Sequence, residues 1–150
     1  MALRAMLLAL AAMIWLAPGA KAQFESATLF AVLNGGNVCK KDLVLLCGLG
    51  DPDGVGSAAV TIISDTRLCV GIVVDNISTP TLARIYAGPA AFNGPALVTL
   101  PFPASGNPGT SSGCVTVATG TLVALRATPQ NFYISIRNSG TSSGIRGQLF

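Results

Sequence analysis

The sequence contains no histidine. That absence removes the commonest general base, so Ser-His-Asp and Cys-His catalysis have nothing to run on. Four cysteines remain as soft metal ligands: Cys39, Cys47, Cys69 and Cys114. No C-x₂-C pair joins them, so a zinc site lacks both its spacing and its usual imidazole partner. Lys40 and Lys41 have no Ser-Lys motif around them and read as solvated loop charges. Asp51 and Asp53 are residue types found in calcium loops, but no further ligand such as an EF-hand glutamate follows. Asp51-Pro52-Asp53-Gly54 reads instead as a turn leading into a strand. A glycosidase carboxylate pair fails on the same grounds. Glu25 and the five aspartates sit near turns or ends, away from sugar-stacking aromatics. The expected catalytic, metal and cofactor sites are therefore none, and the protein is not expected to be an enzyme.

The elements that position these residues begin after a leader. Arg4 precedes an apolar run from Ala5 to Ala17, Pro18-Gly19 breaks it, and Ala20-Lys21-Ala22 follows. That order is the n-region, h-region and A-x-A site of a signal peptide, and the run is too short for a membrane span. Residues 1–22 are thus expected to be cleaved, leaving 23–150 as one domain that is secreted, with the periplasm or cell surface as variants of that location. Without Arg4 and Lys21, seven basic residues face six acids, and the formal charge of +3 falls to +1. So small a charge argues against a nucleic-acid partner, and no second apolar run is long enough to span a bilayer.

A charged fraction of only 10% beside many glycines and prolines points to short strands joined by tight turns. Strand patterns run over 24–33, 57–63, 67–74, 82–87, 95–100, 114–118, 132–137 and 145–150. A polar loop is expected over 101–113 and a short helix over 121–127, before Pro129. In Phe132 to Arg137, alternation puts Phe132, Ile134 and Ile136 on one face and Tyr133, Ser135 and Arg137 on the other. Two packed sheets are the natural way to bury so many half-apolar strands. An even cysteine count behind a leader reads as two disulfides, with three connectivities open. The expected pairing is Cys39 with Cys47, closing one loop, and Cys69 with Cys114, joining two strand patterns.

Phe132-Tyr133-Ile134-Ser135-Ile136-Arg137, a turn, then Gly144-Ile145-Arg146-Gly147-Gln148-Leu149 closely resembles the end of the chordin-type (CHRD) domain, with its "YVNVHT…GEIRGQL" phrase. Phe30 to Gly35, Gly50 to Ala58, Ala83 to Gly88 and Asn93 to Val98 resemble other segments of that family, in order, over most of 24–150. The resemblance implies an all-β, Greek-key β-sandwich similar to the Cu/Zn superoxide dismutase topology. It also implies an extracellular module, which in animal chordin belongs to a secreted growth-factor antagonist. A Cys69–Cys114 pairing resembles bacterial members too.

This chain departs from the family where chemistry would matter. The family's His-x-His falls on Arg84 and Tyr86, and a further histidine position falls on Arg137. Arginine stays protonated and does not ligate metals. If the fold holds, Arg84, Tyr86, Arg137 and Arg146 form one polar cluster suited to a carboxylate, a sulfate or a protein. The plainer alternative is sandwich-surface polarity, with Arg146 paired to an aspartate. The leading expectation is a non-enzymatic extracellular binding or structural module for a protein or glycan ligand. A secreted inhibitor or antagonist is the alternative, and a degenerate metal-binding or dismutase-like protein a remoter one. Asn76-Ile77-Ser78 is a glycosylation sequon in a eukaryotic host.

Overall fold

The computed structural model describes residues 25–39, 47–139 and 144–150. The leader read at 1–22, the Lys40-Lys41 pair and most of the final turn lie outside them. Among the described residues eight strands are present: β1 (Ala27–Asn34), β2 (Val55–Ser64), β3 (Arg67–Asp75), β4 (Pro80–Ala87), β5 (Ala96–Leu100), β6 (Gly109–Thr116), β7 (Phe132–Asn138) and β8 (Ile145–Gln148). An α-helix, α1 (Thr119–Ala127), lies between β6 and β7 and buries Leu122 and Leu125 in the core. Among the described residues no helix is long and apolar enough to cross a membrane.

The β2–β3 hairpin shows why this sequence makes strands. Asp65-Thr66 turns the chain, and on β3 Leu68, Val70, Ile72 and Val74 are buried while the residues between them are not. Period-two alternation of branched side chains fits a sheet with one wet face. Each fully buried Leu or Ile in such a core contributes roughly 1.5–3 kcal/mol. One element departs from the sequence reading: β6 starts at Gly109, inside the expected polar loop over 101–113. It is the last strand of the sheet, and its inward face is only partly covered, so Thr110, Ser111 and Ser112 carry no apolar alternation to betray it.

The expected two sheets are joined into one. All eight strands form a single antiparallel sheet in the order β5-β4-β7-β8-β1-β2-β3-β6. The seam is between β8 and β1. There Asn34 pairs with Arg146, and Phe30 and Phe150 exchange two backbone hydrogen bonds of 3.0 and 3.1 Å. Gly147 makes the seam possible, since a Cβ on it would lie 2.1 Å from the Val32 carbonyl oxygen. Twist curls the sheet until its end strands approach, and Ser111 Oγ on β6 donates to the Pro101 carbonyl just beyond β5 (3.2 Å). The result is a nearly closed barrel around one core drawn from both halves, including Leu33, Ile62, Leu68, Ile85, Ile134 and Ile136. Two disulfides staple it: Cys39–Cys47, and Cys69–Cys114 between paired residues of β3 and β6.

Candidate functional site

Strand register gathers polar residues of β4, β5, β7 and β8 on one outward face. Tyr86 pairs with Tyr133, and Tyr133 with Gln148. Two residues along, Thr99, Arg84, Ser135 and Arg146 form a second row across β5, β4, β7 and β8. Directly paired residues share a face, so the two rows stand side by side. Arg137 lies on the same face, opposite Leu82.

This face is not open. After β4, Gly88 turns at a φ of +112°, and residues 88–95 cross back over it as a strap. The strap closes where Ala87 N–H donates to the Pro95 carbonyl (3.0 Å). It passes so close to β4 that a Cβ on Gly94 would sit 1.5 Å from the Ala87 oxygen. Arg146 holds its centre. Its Nη1 donates to the Ala90 and Phe92 carbonyls (2.9 and 3.2 Å), and its Nη2 to Asn93 Oδ1 (2.7 Å). Gln148 Oε1 accepts from Ala90 N–H (2.7 Å), while its Nε2 donates to the Gln130 and Phe132 carbonyls. Gly94 N–H donates to Tyr133 Oη (3.2 Å). Asn93 Nδ2 reaches the Cys39 carbonyl (3.1 Å), tying the strap to the Cys39–Cys47 loop.

Beneath the strap the guanidinium lies 4.6 Å from the centroid of the Tyr133 ring, and Tyr133 stacks on Tyr86 at 5.1 Å with the planes 6° apart. Arg146 is 5% exposed, and its Nε has no hydrogen-bond partner among the described residues. Burial pushes its pKa down, the two tyrosines push it up, and Arg137 pushes it down. Carbonyl dipoles and a π face thus take the place of a counter-ion. Replacing Tyr133 with phenylalanine keeps the stack but removes the acceptor for Gly94 N–H. The expected cost is about 1 kcal/mol in chemical unfolding, and faster hydrogen exchange at Gly94 locates the loss.

The structure therefore divides the expected cluster. Tyr86 and Arg146 are buried and serve the strap, and the partners of Arg146 are carbonyl and amide oxygens rather than the aspartate the plainer reading supplied. Arg84 and Arg137 remain available. Arg84 is half-buried, with its Nε donating to Thr99 Oγ1 (3.3 Å), and Arg137 is exposed. No carboxylate pairs with either among the described residues. Sequence reasoning missed Tyr133, Gln148 and Asn93 as members of this assembly, although all three stand in the quoted family-like segments. The alternation expected on β7 holds, with Phe132, Ile134 and Ile136 in the core and Tyr133, Ser135 and Arg137 on the other face, but Tyr133 and Ser135 are buried as well.

The remaining sequence candidates fall elsewhere. Asp51 is buried in its turn, where Asn138 Nδ2 donates to its Oδ2 and its own N–H donates to the Gly144 carbonyl (3.0 Å). Asp53 is exposed. Among the described residues no three His, Cys, Asp or Glu side chains gather where they would hold a metal ion.

The fold and this site define a class: a disulfide-stapled antiparallel β barrel whose last strand pins a strap across its outer face. The chain belongs to the CHRD domain family, whose model matches residues 29–149. That span includes the strap and the Gly144–Leu149 segment that holds it. No curated protein and no solved structure matches the chain.

Proposed function

We propose that this protein acts outside the cell as a non-enzymatic binding module, and that Arg84 and Arg137 take an anionic group of its ligand. The observation that carries the reading is the position of these two arginines. They share the outward face of β4 and β7 without a carboxylate partner among the described residues, and the buried charge of Arg146 lies on the same face. Like charges held together without acids are relieved by an incoming carboxylate or sulfate. The fork of Arg84 is already oriented through its Nε, which lowers the entropy lost on binding. Family membership and two disulfides fit an extracellular setting.

The same reading includes a dismutase-like Greek key. With β5 facing β6 across the gap, β4, β5 and β6 run side by side and β7 returns beside β4, which is the Greek-key order. The missing histidines then mean that a dismutase-like frame is kept for binding alone.

The test is retention of the purified protein on immobilised sulfated and carboxylated polysaccharides. Binding at low salt that weakens steeply as salt rises is expected, and the Arg84→Gln/Arg137→Gln variant should bind about tenfold or more weakly at unchanged stability. Salt-insensitive binding, or a double variant that binds as well as the parent, would sink the assignment. Stoichiometric copper or zinc in the purified protein would overturn the non-enzymatic reading.

A further inference from the structure

The opposite half of the barrel presents a different surface. On the outward face of β1, β2 and β3, with Phe150 alongside, Phe30, Val32, Val55, Val73 and Phe150 are 49, 65, 50, 51 and 63% exposed. Register makes this one patch: Phe30 lines up with Ala59 and Gly71, and Val32 with Ser57 and Val73. The small residues floor a groove of about 540 Å³ walled by Phe30, Phe150 and Val73. Among the described residues of these three strands, charges stand only at its ends. The outward residues of β3 are Arg67, Cys69, Gly71, Val73 and Asp75, basic at one end and acidic at the other.

We infer that this face is the interface of a two-fold dimer of this chain. Two features point to a second copy. The first is area. The five apolar residues leave on the order of 500 Å² in water, and Ser57, Thr28 and Thr61 extend the same outward face toward the ~800 Å² per partner of a stable interface. An apolar patch of that size is toward the upper end of what a monomer exposes, and such patches commonly mark interaction sites. The second is polarity. A face-to-face two-fold that lays β3 antiparallel on its counterpart brings Arg67 opposite the partner's Asp75, and Asp75 opposite the partner's Arg67. The uncharged middle of the strand then meets uncharged surface. Such self-complementarity is what an isologous interface requires, and an unrelated apolar partner would not call for opposite charges at the two ends. The dimer leaves Arg84 and Arg137 uncovered on each protomer, so two anion-binding faces would act together.

The experiment is sedimentation equilibrium of the purified, disulfide-intact chain across a concentration series, with the parent expected to reach twice the mass of its single chain. Val73→Lys, a surface change that leaves the core intact, should weaken association ~100-fold. Arg67→Glu and Asp75→Lys should each weaken it ~10-fold, because symmetry breaks both pairs at once, and the double exchange should restore it to within ~3-fold of the parent. Circular dichroism identical to the parent shows that each variant is folded. A parent that stays monomeric at ~1 mM, assemblies that grow beyond two copies, or a double exchange that fails to restore association would each overturn the inference.

Discussion

Replacing Arg146 with alanine is expected to lower the unfolding free energy by about 4 kcal/mol and the melting temperature by roughly 15 °C. The change leaves the Ala90 and Phe92 carbonyls and Asn93 Oδ1 without their donor and takes the cation off Tyr133. Each abandoned buried acceptor costs about 1–3 kcal/mol, and the π contact adds about 1 kcal/mol, while release of a desolvated charge offsets part of the sum. Arg146→Lys should recover no more than about half, because an ammonium neither lies flat on the ring nor spans three acceptors at once. Urea unfolding of the three proteins measures the effect, and hydrogen exchange at Ala90 and Gly94 shows whether the strap is what loosens. An alanine variant within about 1 kcal/mol of the parent would mean that the strap holds without its arginine.

Removing the Cys69–Cys114 bridge by the double change to alanine is expected to cost about 4 kcal/mol, because it closes a loop with a sequence separation of 45. The Cys39–Cys47 bridge, with a separation of 8, should contribute about 2.5 kcal/mol on the same argument. Both effects arise largely in the unfolded chain. The β3–β6 register should therefore survive in the folded double variant, with the amides paired between these strands still protected. The order of the two losses is the check, and it comes from midpoints of chemical unfolding. A larger loss at Cys39–Cys47 would show that its link through Asn93 to the strap outweighs loop entropy.

Much of the fold was legible in the residues. Branched alternation marked β2 and β3, and the Asp65-Thr66 tip between them lies where the sequence put it. Two cysteines close in sequence and two in separate strand patterns paired as expected. The failures have local causes. The first half of β6, read as loop, escaped detection because a strand at the end of a sheet, half-covered, needs no apolar period. The buried outer face of β7 escaped because its cover is a loop that no periodicity announces.

The sequence by itself determined the chemistry that is excluded. Without histidine there is no imidazole base or ligand, whatever the fold does. It also determined the strand material and the family phrase around Arg146, and it narrowed four cysteines to an expected pairing that the folded chain then makes. Only the tertiary structure decided what that phrase is for. Arg146 has the composition of a contact residue, but strand register sets it beneath a strap, where three oxygens and a tyrosine ring occupy it. Arg84 and Arg137, alike in the sequence, stay reachable because the strap binds neither of them. Burial is a property of what crosses a residue in space, and here the crossing segment lies more than 50 positions away, beyond the reach of any local pattern.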